Sequence, residues 1–490
     1  MSGRRWVWLV LTAVLLVLCI ALIGAFAVPR KSTGQGGDED TLYLSPYVEK
    51  QEVKEARSRS VVPMFSPPDL GSEAHAGLIT VNAMLDSHPL LPSHPSQERS
   101  VPSHAESQVK FHRNHLEAPL LLWLQGGPGS SSLFGQFLEN GPLAIDAHGK
   151  VHPREHTMRE YLNVIYLDQP VGAGFSRTGS PDGYPTTLEE LSRDIHRFLE
   201  QFFELFPEYK DRDFYVAGES YGARAAVALA IRLHENPDLP VKLRGVSCGV
   251  GFLGPLLPML DQSDYFHKLG VLDYQGWQIY KKRMADVQDL VTANRSIDAL
   301  GLLLKTVFVN TDPNKEPTLF QRLSGYAFDG NVLRSVEPAE FGAYREHVAS
   351  ADFKQAVHVG RNAEFRRDAQ INVKLAFDYF RNISDIVSTL MDNYRFLAYT
   401  GQLDPVLAVN PIEDFLRDLD WSRAGQFRHA HRAPWFAGGR EEGISGYVTT
   451  AGDFSFVVLA SAGHYPGFDQ TRAVDNLMRR FVAGNLTQLH

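Results

Sequence analysis

Cysteine is nearly absent: the 490 residues contain two, Cys19 and Cys248. Two thiols this far apart can form neither a disulfide framework nor a CxxC metal knuckle, so packing has to hold the fold together. Basic charge is short as well. Lys and Arg number 48 against 57 Asp and Glu, a net charge of −9 that argues against a nucleic-acid backbone as partner. No internal repeat of solenoid or propeller length is visible. At 44% hydrophobic and 21% charged residues the composition is globular, and the chain is long enough to bury a sizeable core.

The one long uncharged stretch lies between Arg5 and Arg30 and reads WVWLVLTAVLLVLCIALIGAFAV over residues 6–28. Its length suits a membrane-spanning helix of about 20 residues. Its early start and the Ala25-Phe26-Ala27 exit suit a cleaved signal peptide, the reading we favour for residues 1–29. In either case Arg4 and Arg5 hold the short end in the cytosol, and the rest enters the secretory lumen, secreted or lysosomal. Contact with membrane is then limited to residues 6–28, and only if they stay uncleaved. Asn294, Asn382 and Asn485 open N-x-S/T sequons and are glycosylation candidates.

Residues 30–75 carry polar runs and prolines and read as a leader draped over the body. From Ala76, apolar runs alternate with helical patterns. Strands are expected at Leu120–Leu124, Asn163–Leu167, Phe214–Ala217, Leu243–Gly249, Arg395–Tyr399 and Phe454–Ala460, with helices at Leu188–Phe206 and Ala223–Leu233. Such alternation predicts a mostly parallel sheet covered by helices on both faces. Residues 255–350 have helical periodicity without strand candidates and read as an inserted cap, which divides the core into 76–254 and 351–490. Histidines recur within 86–117, but prolines there break any ligand spacing; the segment reads as an exposed loop, and no metal site or cofactor is expected.

The chemistry starts at Gly218-Glu219-Ser220-Tyr221-Gly222. A G-x-S-x-G between a strand and a helix is a nucleophile elbow, whose small flanks allow the turn that lifts the serine hydroxyl above the sheet edge. Serine is a poor nucleophile until a histidine takes its proton and a carboxylate orients that histidine. Two later strand ends supply these groups in the required order, Asp404 after Arg395–Tyr399 and His464 after Phe454–Ala460. Asp168 also ends a strand, but it precedes the serine. The strand Leu120–Leu124 runs into Gln125-Gly126-Gly127-Pro128-Gly129, where backbone N–H groups can reach an oxyanion; Gly127 and Tyr221 are the expected donors. A phosphate loop is excluded because no Lys-Ser/Thr follows.

The segments LLLWLQGGPGSSSLFGQFLENGP (120–142), YLDQPVGAGFS (166–176), FYVAGESYG (214–222), QAVHVG (355–360), YTGQLD (399–404) and SAGH (461–464) resemble the serine carboxypeptidases, most of all the vitellogenic-like ones. The resemblance runs from Ala76 to Val482. It implies an α/β-hydrolase fold, a triad of Ser220, Asp404 and His464, and hydrolysis of peptides or proteins with a free C-terminus. It also implies a substrate-carboxylate site at Gln125, Gly126, Glu139 and Glu219, the two acids sharing a proton, so that peptides bind best at acidic pH. The chain departs from the family pattern at Ala223-Arg224, at Val250 in place of Asn or Asp, at Tyr465 after the histidine, and at Ser130 in place of Cys. Two other activities remain open: a binding or stabilising protein that has lost catalysis, and an acyltransferase using the same triad. A homodimer is likewise left open.

Overall fold

The computed structural model describes residues 40–65, 74–82, 103–110 and 117–486. The segments 6–28 and 86–102, with the targeting run and part of the histidine-rich stretch, lie outside the described residues. Among the described residues no helix is long and apolar enough to cross a membrane.

Ten strands form one sheet: β1 (Ala74–Asn82), β2 (Ser103–Lys110), β3 (Leu120–Leu124), β4 (Asn163–Leu167), β5 (Asp213–Glu219), β6 (Lys242–Gly249), β7 (Arg395–Gly401), β8 (Ala433–Trp435), β9 (Gly446–Ala451) and β10 (Phe454–Leu459), in spatial order β1-β2-β4-β3-β5-β6-β7-β10-β9-β8. The six strands from β4 to β10 are parallel, and antiparallel strands flank them on both sides. All six expected strands belong to this parallel centre. Beyond the expected set, β2 occupies Ser103–Lys110, inside the stretch read as a loop, and pairs with both β1 and β4.

Side chains alternate between the two faces, as the strand period of two requires. Leu120, Leu122 and Leu124 enter one core with Phe214, Val216, Phe396 and Phe456, while Leu121 and Trp123 enter the other with Tyr215, Leu397 and Val457. The first core is covered by α1 (Leu188–Leu205), capped by the Thr187 hydroxyl, and by α2 (Tyr221–Glu235). Between β6 and β7 the regular structure is mostly helical, including α3 (Tyr274–Thr292), α4 (Ser296–Leu304) and α5 (Ala339–Ala349). The second core is closed by α6 (Thr471–Ala483) through Val474, Leu477, Met478 and Phe481.

Residues 40–65 lie on the body. Thr41 bridges to Val359, Tyr43 to Leu78 and Val61 to His75, and the Arg57 guanidinium donates to both carboxylate oxygens of Glu208 at 3.1 and 2.7 Å.

Candidate active site

Parallel strands place all their C-terminal ends on one edge, and the residues just beyond those ends meet there. Ser220 follows β5, Gln125 follows β3, Asp168 follows β4, Asp404 lies three residues past β7 and His464 five past β10.

Ser220 sits at φ 55°, ψ −123°, the strained corner between β5 and α2. Its amide donates to Gly249 O at 2.9 Å and its carbonyl accepts from Phe252 N–H at 3.2 Å. The flanking glycines are required by contact. A Cβ on Gly218 would stand 2.1 Å from Gly222 O, and one on Gly222 would stand 2.1 Å from Leu124 O. The Ser220 hydroxyl lies 3.1 Å from His464 Nε2, and His464 Nδ1–H donates to Asp404 Oδ2 at 2.9 Å. Asp404 is fully buried, and its Oδ1 accepts from the amides of Val406 and Leu407 at 2.7 and 3.0 Å, which fixes the carboxylate plane. Burial acts to lower the His464 pKa, but the charge and hydrogen bond of Asp404 outweigh it, and the net shift is upward.

The glycine loop after β3 lies against the elbow: a Cβ on Gly126 would come within 2.5 Å of Glu219 O, 2.8 Å of Ser220 Cβ and 3.0 Å of Tyr221 N. Gly127, at φ +119°, continues the loop, and among the described residues neither its amide nor that of Tyr221 donates to a backbone carbonyl of the surrounding loops. Asp168, with no part in the relay, holds this loop. It accepts from Ser131 Oγ at 2.6 Å, Ser132 N–H at 2.9 Å and Phe175 N–H at 3.0 Å.

Gln125, Glu139 and Glu219 form a buried polar group beside the serine. Gln125 Oε1 accepts from Trp123 Nε1 at 2.9 Å and its Nε2 donates to Glu219 Oε2 at 2.6 Å. Glu139 ends the short helical turn Gly135–Glu139, which Arg154 clamps by donating to Phe137 O and Gly141 O at 2.6 and 2.9 Å. Among the described residues neither Glu139 oxygen makes a well-formed hydrogen bond, yet the Glu219 carboxyl and the Gln125 amide lie near enough to influence its titration. Burial pushes Glu139 up to about 7, against the opposing pull of Glu219, Arg154 and Gln125. Glu219 is raised as well, by burial first and then by the Glu139 charge.

The sequence reading missed the supports of His464. Its amide donates to Gly330 O at 2.6 Å, and Asp469 Oδ2 accepts from Gly463 N–H and Asn331 Nδ2, both at 2.8 Å. Nothing local in Asp329-Gly330-Asn331 signals this, because the contact joins segments more than 130 residues apart. Of the departures from the family pattern, Arg224 and Tyr465 are seated by local contacts. Arg224 is fully buried and donates from Nη2 to Asp378 O and Arg381 O at 3.0 and 2.9 Å, while Tyr221 stacks on Tyr379 at 5.4 Å. Val250 sits at φ 41°, a conformation that Asn and Asp adopt readily and a β-branched residue does not. Tyr465 packs against Phe134 and Phe341 at 5.0 and 5.3 Å. Outside the site, Asn294 and Asn382 are exposed, whereas Asn485 is half-buried with its Oδ1 enclosed.

Known proteins are similar to this chain over most of its length. The family model for serine carboxypeptidase matches residues 106–484. The chain is 30% identical to the human probable serine carboxypeptidase CPVL, over 97% of both chains. It is 32% identical to the venom serine carboxypeptidase of Apis mellifera over 90% of both, and 30% identical to the vitellogenic carboxypeptidase of Aedes aegypti over 95% of this chain and 94% of that one. In fold it is similar to Kex1, a prohormone-processing carboxypeptidase from Saccharomyces cerevisiae, with a TM-score of 0.70 at 18% identity, covering 86% of this chain and 93% of that one. The chain belongs to the serine carboxypeptidase family and is a serine-type carboxypeptidase, a hydrolase of peptides, built on the α/β-hydrolase fold.

Proposed function

We propose that the enzyme removes single residues from free peptide C-termini through an acyl-enzyme on Ser220. The observation that carries this is the Ser220–His464–Asp404 relay, at 3.1 and 2.9 Å, beside a buried carboxyl pair. Ser220 Oγ attacks the last peptide carbonyl while His464 Nε2 takes its proton, and Asp404 orients the ring and balances the imidazolium. The Gly127 and Tyr221 amides receive the oxyanion. The C–N bond then breaks as His464 returns the proton to the leaving amine. Water, deprotonated by His464, hydrolyses the ester and frees the serine.

Exopeptidase selectivity comes from Gln125, Glu139 and Glu219, with the Gly126 backbone beside them. One proton of the Gln125 amide remains for the substrate carboxylate, and a protonated Glu139–Glu219 pair donates to it where an ionised pair would repel it. Peptide binding is therefore strongest below the pH at which the pair ionises. We also read residues 1–29 as the targeting segment that delivers the enzyme to the secretory lumen, with Asn294 and Asn382 the accessible glycosylation sites, and residues 255–350 as an inserted cap.

The test uses two peptides at mildly acidic pH, one with a free and one with an amidated C-terminus, beside a Ser220→Ala control. The expected result is release of one residue from the free peptide alone, abolished in the variant. No release from either peptide, with no labelling of Ser220 by a serine-directed phosphonate, assigns the chain to the binding-protein reading. Ester formation on an added alcohol in preference to hydrolysis assigns it to acyl transfer.

A further inference from the structure

One arginine beside the active site has no part in the machinery above. Arg366 and Arg367 form a two-residue strand that pairs antiparallel with Ala173–Gly174 in the loop after β4. That pairing fixes the Arg367 backbone against the loop after β4. Its stem crosses Gly129: a Cβ there would meet Arg367 Cγ at 3.2 Å, so the absent side chain, at φ +95°, is what lets the arginine lie flat on the glycine loop. Arg367 Nε–H donates to Pro128 O at 3.0 Å, one residue from the Gly127 oxyanion donor.

The guanidinium is thereby anchored at Nε, and Arg367 as a whole is exposed. Among the described residues no carboxylate lies within ion-pair distance of it. Its neighbours are already engaged: Arg366 pairs with Glu364 at 3.2 Å, and Asp368 accepts from Tyr184 OH at 2.6 Å and from Gln370 N–H at 2.9 Å. Burial raises the pKa of Tyr379, which stacks on the residue after Ser220, and of Tyr465, the residue after His464, and the Arg367 charge opposes that rise at both. A guanidinium whose stem and Nε are fixed presents Nη1 and Nη2 as a fork that matches a carboxylate in a bidentate way.

We propose that Arg367 is a specificity-determining residue that selects peptides with an acidic side chain next to the scissile bond, on the C-terminal residue or the one before it. This rests on the carboxypeptidase reading above and goes beyond it by naming the substrate class. The recognised group is a side-chain carboxylate, distinct from the terminal carboxylate assigned to Gln125, Glu139 and Glu219. Because the fork is open to solvent, the preference is modest and falls as salt rises.

The experiment measures kcat/KM for two peptide pairs at low salt and about pH 6, where a glutamate side chain is ionised. One pair differs as Glu or Gln at the C-terminal residue, the other as Glu or Gln at the penultimate residue. Each Glu rate is divided by the same enzyme's Gln rate, so a general loss of activity or folding cancels. The expected wild-type ratio is about fivefold in one arm, which identifies the side of the bond. It falls to about one in R367Q, drops below one in R367E and stays above one in R367K. Wild-type ratios of one in both arms, or a preference that survives in R367Q, overturn the assignment. If wild-type enzyme releases no residue from any of the four peptides, the carboxypeptidase reading fails and takes this one with it, a result distinct from release without preference.

Discussion

In the proposed substrate-carboxylate site, Glu139 and Glu219 are the residues whose ionisation would link binding to stability. A carboxyl raised from 4.5 to about 7 on folding binds more protons in the folded than in the unfolded state between those limits. Its contribution is therefore greatest at the acidic end and is lost as pH rises through about 7. The ceiling is roughly 3 kcal/mol for Glu139 alone. His464, also raised, adds a change of the same sign. Thermal melts and KM measured from about pH 5 to about pH 8 should show a falling Tm and a rising KM, and Glu139→Gln should flatten both trends. A KM that is flat in the wild type, or equally steep in the variant, would falsify the shared-proton account. The acid limb of kcat has a different origin, protonation of His464, and Glu139→Gln should leave that limb in place.

At the level of elements, the site depends on loops that leave parallel strands and are tied to one another. Asp168 links the loop after β3 to the one after β4 through one hydroxyl and two amides. Asp168→Ala strands two backbone donors with no replacement acceptor, at a cost of about 3 kcal/mol. Urea melts should show that loss, and kcat should fall more than KM rises because the Gly127 amide moves with the loop. Unchanged stability would mean that the loop holds its shape unaided. The six central strands were legible because both of their faces are buried, so they read as continuous apolar runs. The antiparallel flanks were not. Ser-His-Ala-Glu-Ser-Gln-Val-Lys carries no such run, yet β2 is made by its neighbours β1 and β4. Ala433–Trp435 is too short to carry a pattern of any period.

Across the whole molecule, the scarcity of cysteine becomes a physical statement about the core. Cys248 is free, 1% exposed and packed in the main cluster, and burial raises its thiol well above the ordinary range. The two sheet faces bury aromatic and aliphatic side chains continuously from α1 and α2 to α6, which is enough for a domain of this size without cross-links. The Tm should therefore be the same with and without dithiothreitol; a fall of more than about 2 °C under reduction would reveal a disulfide that this packing does not need.

The sequence by itself determined the six central strands and the helices that follow them, and it put forward Ser220, Asp404 and His464 as the candidate relay, because burial periodicity, glycine-enforced turns and strand-end positions are local properties of the chain. Gln125, Glu139 and Glu219 were reached through family resemblance, and the raised proton affinity of the two glutamates follows only from the enclosure that removes water from them. Tertiary structure alone decided the antiparallel flanks, the seating of His464 on Gly330 and Asp469, and the placing of Arg367 on the glycine loop. Each of these joins segments far apart in the chain through backbone groups and charges, whose partners no local pattern specifies.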